Sequence, residues 1–158
     1  MAREFKSVLI ANRGEIAIRI ARALAELDIR AVAVFAEDDA RSLHVKAADE
    51  AVALTGAGPR AYLDIEGLTA AAWAAGCDAI HPGYGFLSEN PAFARAVAAA
   101  SLTFIGPSPK TLETFADKVR ARALAGDAGV SVIAGTAERA GVGEVAPSSP
   151  PCRAARRW

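Results

Sequence analysis

Ser7-Val-Leu-Ile-Ala-Asn-Arg-Gly-Glu-Ile-Ala-Ile-Arg-Ile20 decides the fold. Ser7 to Ala11 is a short apolar run, suited to a strand covered on both faces. Asn12-Arg13-Gly14 interrupts it, and from Glu15 the spacing changes. Ile16, Ile20, Leu24 and Leu27 recur at i, i+4, i+8 and i+11, which gathers them on one face of a helix. A buried strand passing through a tight turn into an amphipathic helix is the opening unit of an α/β protein.

The alternation repeats along the chain. Ala31-Val-Ala-Val-Phe35, Ala51 to Leu54, Ala79-Ile80-His81 and Leu102-Thr-Phe-Ile105 read as further strands, and Ser131-Val-Ile133 as the first strand of something beyond. Between them, helices are predicted over Ser42–Ala48, from Ile65 to Ala75 with Gly76 as the stop, and from a cap at Asn90 with Pro91 in the first helical position to Ala100. A last helix is predicted from Pro109 to Ala125, capped by Ser108. Strands alternating with helices of this length predict an open parallel sheet flanked by helices.

Composition narrows the class. The 158 residues carry 18 Lys+Arg and 18 Asp+Glu, so the formal net charge is zero. That balance argues against nucleic acid or an anionic membrane as the main partner. A chain of this length buries about 68–70% of its unfolded surface, enough for a core without staples. Two cysteines, Cys77 and Cys152, exclude a disulfide framework or a self-contained four-cysteine zinc site. No apolar run approaches the roughly 18 residues of a membrane span, so a cytoplasmic chain is predicted. The charge is uneven: Arg139, Arg153, Arg156 and Arg157 outnumber Glu144 in a stretch rich in Pro and Ser. Residues 137–158 are therefore expected to form a disordered basic tail.

Ligands of such sheets bind beyond the carboxyl ends of the strands. Two segments fall there. Asn12-Arg13-Gly14 offers backbone N–H groups at a helix start that could hold an anion, or is simply a tight turn with an Asn near the helix. It has neither G-x-G-x-x-G nor G-x-x-x-x-G-K-[ST], so no nucleotide site follows from it. The second segment is His81-Pro-Gly-Tyr-Gly-Phe-Leu-Ser-Glu-Asn90. Gly83 and Gly85 let backbone approach a ligand while Tyr84 presents an aromatic edge. His81 could titrate near neutrality, although a hydrogen-bonded His at a strand end is the commoner arrangement.

Elsewhere the residues leave alternatives open. Glu15, Arg19, Arg22 and Glu26 form a charged stripe beside the apolar face of the first helix. It is either a solvated surface with weak i,i+4 pairs or a self-complementary patch for a two-fold dimer. Lys118 is a phosphate-binding ammonium or an ordinary surface lysine. Cys77 reads as an inert thiol, and His44 and His81 lack metal-ligand spacing.

Ile10-Ala-Asn-Arg-Gly-Glu-Ile-Ala-Ile-Arg-Ile20 and His81-Pro-Gly-Tyr-Gly-Phe-Leu-Ser-Glu-Asn90 closely resemble two hallmark segments of the biotin carboxylase family. His44 with Ala48-Asp-Glu-Ala51, Tyr62-Leu-Asp-Ile65, Phe104-Ile-Gly-Pro107 and Asp117-Lys-Val119 follow in the family's order, so the resemblance covers residues 5–136. It implies a Rossmann-like domain over residues 1–136 that precedes an ATP-grasp domain. The implied reaction uses ATP, Mg2+ and bicarbonate to carboxylate biotin on a biotin carboxyl carrier domain, with a carboxyltransferase as the next partner. By the same resemblance Lys118 touches ATP phosphates. Tyr84, between Gly83 and Gly85, lines the biotin pocket, and Arg19, Arg22 and Glu26 belong to a homodimer contact.

After Gly135-Thr136 the family's pattern is lost, where the ATP-grasp domain would begin. Phosphoryl transfer needs Mg2+ and several cations around the γ-phosphate, and one lysine does not supply them. The expectation is a chain without carboxylase activity of its own, its tail a truncated or frameshifted reading of a longer gene. The alternatives are a noncatalytic module that pairs with full-length carboxylase subunits, and a nonfunctional gene fragment.

Overall fold

The computed structural model describes residues 5–132. The chain divides into two compact units, one up to Ala116 and one from Asp117. In the first unit five strands form one sheet: β1 (Ser7–Ile10), β2 (Arg30–Phe35), β3 (Glu50–Ala53), β4 (Ala79–His81) and β5 (Thr103–Phe104). All pairings are parallel and the strand order is β3-β2-β1-β4-β5. The predicted open parallel sheet flanked by helices is therefore the observed one.

The first strand lies at the centre. Val8, Leu9 and Ile10 are fully buried because both faces of the sheet are covered. Alternate residues divide between two cores. Leu9 joins Val32, Val34 and Ile80 on one face, beneath Leu68 and Ala72 of α3 (Ile65–Ala74) and Phe93 and Val97 of α4 (Pro91–Ala99). Val8 and Ile10 face the other way, against Ala17, Ile20, Ala21 and Leu24 of α1 (Gly14–Glu26). Of the predicted stripe, Ile20 and Leu24 are buried and Ile16 is partly buried against the same core, whereas Leu27 lies past the helix and is exposed. A short α2 (Leu43–Ala47) follows β2, and α5 (Pro109–Ala116) ends the unit.

Local chemistry sets the helix ends. Asn90 accepts from the N–H groups of Ala92 and Phe93 at 2.8 and 3.1 Å, with Pro91 next in the chain. Gly76 takes φ +65° and donates to the Trp73 carbonyl, closing α3 as its position predicts. One expectation fails. The single helix from Pro109 to Ala125 is two helices, because Asp117 leaves helical geometry and turns its carboxylate onto the N–H groups of Val119 and Arg120. The second unit therefore opens with its own capped helix, α6 (Lys118–Asp127). Ser131 and Val132 are not in a strand; Ile133 and the predicted tail lie outside the described residues.

Phe93 anchors one core: it is fully buried and meets Phe104 edge to face at 5.8 Å. Replacing it by Ala is expected to lower the unfolding free energy by about 3–5 kcal/mol. The same urea titration on Trp73→Gln, at a side chain 72% exposed, is expected to read within about 0.5 kcal/mol of wild type.

Candidate functional site

The chain leaves β1 for α1 on one face and β4 for α4 on the other, so the C-terminal ends of these neighbouring strands open a crevice at the switch point. Both segments singled out in the sequence sit there. They touch each other through Asn12, which is 2% exposed. Its side-chain amide donates to the carbonyls of Pro82 and Tyr84 at 2.8 and 2.9 Å, and its Oδ1 accepts from the Arg13 N–H at 2.9 Å. The Asn therefore belongs to the glycine loop; the residue at the cap position of α1 is Arg13, without a side-chain cap.

The loop owes its shape to backbone conformations that need glycine. Gly83 and Gly85 have φ near +66°, and a Cβ on Gly83 would lie 2.6 Å from Asn12 Nδ2. Tyr84 stands between them with 68% of its surface exposed. His81 is half-buried, its Nδ1 accepting the Gly83 N–H at 3.0 Å. Burial holds its pKa below the usual value, which keeps the ring neutral and Nδ1 free to accept. Beside the loop lies a cavity of about 690 Å³. Pro107, Leu112 and Phe115 give it apolar walls, and Tyr84, Ser88 and Glu89 bring polar groups.

A second cluster was not legible in the sequence. Asp39 ends a turn of 3₁₀ helix, Glu37–Asp39, that follows β2. Its carboxylate is buried and accepts from Arg13 Nε and Nη2 at 2.5 and 2.6 Å, from Ser42 Oγ at 2.9 Å and from the Tyr62 hydroxyl at 2.8 Å. Tyr62 also accepts the Ala36 N–H and packs its ring on Phe86 at 5.4 Å. Phe86 itself has φ +44°, costly for a residue with a side chain, and follows Gly85 at the far end of the loop. The Arg13 hydrogen bonds hold the Asp39 carboxyl well below the usual carboxylate range, and burial pushes the Tyr62 hydroxyl up to about 12.

Arg19, Arg22 and Glu26 are exposed on α1, and Arg19 pairs with Glu15 at 2.8 Å. Lys118 is exposed at the first position of α6, in the second unit. Cys77 is buried, and burial raises its thiol pKa, as suits an inert group. Among the described residues no three His, Cys, Asp or Glu converge as a metal site, and no helix is long and apolar enough to cross a membrane.

The fold is a parallel α/β domain with a crevice at the β1–β4 switch point. Residues 4–112 match the family described as biotin carboxylase, N-terminal domain, and the chain belongs to that family. The biotin carboxylase of Halalkalibacterium halodurans is 54% identical over 134 residues, which is 84% of this chain and 29% of that protein. The biotin carboxylase domain of a single-chain bacterial carboxylase superposes with a TM-score of 0.80 at 59% identity, covering 84% of this chain and 31% of that one. A third relative is the biotin carboxylase domain dimer of the Hydrogenobacter thermophilus 2-oxoglutarate carboxylase, solved with MgADP, ADP and bicarbonate. It matches at 46% identity and a TM-score of 0.81, over 85% of this chain and 30% of its own. The chain thus spans less than a third of each.

The Asp39 cluster has a pH signature. Its carboxyl ionises more readily folded than unfolded, so its contribution is complete above the unfolded value near pH 4 and is lost as pH falls toward the folded one. Arg13→Ala is expected to destabilise the chain at pH 7 by about 1–3 kcal/mol and to flatten the decline of stability below pH ~4. Urea titrations across that range check both.

Proposed function

We propose that this chain supplies the biotin-facing wall of a biotin carboxylase, whose reaction uses ATP and bicarbonate to carboxylate biotin on a carrier domain. The observation that carries the reading is the exposed Tyr84, held between Gly83 and Gly85 at the rim of the 690 Å³ cavity. Biotin has an apolar bicyclic body and a polar ureido edge. Apolar walls with a tyrosine, a serine and a carboxylate at the rim are complementary to both. In this reading Lys118 contacts ATP phosphates, and Arg19, Arg22 and Glu26 form a homodimer contact on α1. A carboxyltransferase receives the carboxyl group, and the compartment is the cytoplasm.

The described residues do not fit a magnesium site of their own, since no three acidic or imidazole side chains converge. The reading therefore assigns Mg2+ and the cations around the γ-phosphate to the ATP-grasp domain into which the family continues. The chain alone is expected to be inactive and to act only with that domain.

Two measurements test this. Purified chain assayed for bicarbonate- and biotin-dependent ATP cleavage is expected to give background alone; turnover by the isolated chain overturns the division of labour. Mixed with a separately produced ATP-grasp portion of a relative, it is expected to restore biotin-dependent cleavage. There Lys118→Met is expected to raise KM for ATP roughly tenfold or more, the loss of one charge-assisted hydrogen bond to phosphate.

A further inference from the structure

The proposed biotin contact depends on a segment with unusual freedom. Tyr84 sits between two glycines, and a Gly-Tyr-Gly segment left to itself samples many directions for its ring. Binding would then have to order it, at a cost in affinity. Asn12 removes that freedom. The two carbonyls it holds belong to Pro82 and Tyr84, so they fix the peptide planes on either side of Gly83-Tyr84 and set the direction of the Tyr84 Cα–Cβ bond. Beyond the loop, Phe86 is pinned against Tyr62, so the segment is suspended between two fixed points.

The hydrogen-bond inventory leaves no alternative orientation for the Asn12 amide. A primary amide has two N–H donors and one carbonyl, and here both donors and the oxygen are engaged. A flipped amide would set its oxygen against two carbonyl oxygens and its NH2 against the Arg13 N–H. The fit is also steric, since only glycine at position 83 leaves room for the Nδ2 atom. We propose that Asn12 is a positioning residue for Tyr84: it presets the glycine loop so that the tyrosine faces the cavity before ligand arrives. It acts through the loop and does not touch the ligand. The inference rests on the reading of Tyr84 as a biotin-pocket residue.

The discriminating variant is Asn12→Asp, which keeps the size of the side chain and the oxygen that accepts from Arg13 but deletes both donors. Backbone ¹⁵N relaxation on the full chain reads the result. In wild type, Gly83, Tyr84 and Gly85 are expected to show order parameters near ~0.85, like the strands; in Asn12→Asp they are expected to fall below ~0.6 while β1 and β4 stay near ~0.85. Gly83→Ala, which drives a methyl into Nδ2 and leaves the core sequence intact, is expected to loosen the same residues, and it decides the matter if Asn12→Asp does not fold. A loop already mobile in wild type, or one that stays rigid in a folded variant, overturns the proposal. With the ATP-grasp portion added, Asn12→Asp is expected to raise KM for biotin and leave KM for ATP unchanged. If Tyr84→Ala leaves KM for biotin unchanged there, the biotin reading fails, whereas the lock stands or falls on the relaxation data.

Discussion

Parallel pairing of β1 with β4, the register that sets Ile10 beside His81, is the constraint from which the rest of the first unit follows. With β1 at the centre of the order β3-β2-β1-β4-β5, successive strands are added outward to one side of it and then to the other, all parallel. The helices that follow β1 and β4 must then leave on opposite faces, and a crevice opens between their starting points. The Ala11 N–H extends the pairing to the His81 carbonyl, so Asn12 and Pro82 emerge side by side. Two segments 70 residues apart in sequence become one surface because a strand whose Val8, Leu9 and Ile10 are fully buried has nowhere to lie except in the middle.

The parts of this arrangement that depend on local patterns were readable in advance. Val8, Leu9 and Ile10 in succession mark β1, the i, i+4 repeat marks α1, and Asn90-Pro91 and Gly76 mark helix ends by chemistry that involves only near neighbours. The parts that depend on distant partners were not. Asp39 looks like its neighbours Glu37 and Asp38, yet those two are exposed while Asp39 is buried against Arg13 and Tyr62, 26 and 23 residues away. Asn12 reads as part of a tight turn near a helix start. Nothing in its surroundings announces that its donors belong to Pro82 and Tyr84. Asp117 shows the opposite difficulty. Helical composition continues on both sides of it, so only the backbone at that residue reveals two helices.

The charged residues divide by the same logic. The Glu15–Arg19 pair on α1 is exposed at both ends, and pairs of this kind contribute at most a few tenths of a kcal/mol. The polar face of α1 therefore adds little to the fold, and its sequence is free to answer to something outside the unit. The Arg13–Asp39 pair is placed differently, with a buried carboxylate accepting four hydrogen bonds that also fix Tyr62. Removing one partner there would strand a buried charge, which is why that cluster bears on the loop and the α1 stripe does not.

The crevice combines a half-buried imidazole, an exposed tyrosine and carbonyls tied down by Asn12, with the Arg13 guanidinium committed to Asp39 beside them. The loop is held in one shape at the point where its backbone is richest in glycine. The asparagine at the end of β1 does this without adding charge: it satisfies two loop carbonyls that would otherwise seek water and leaves the face of Tyr84 open to the cavity.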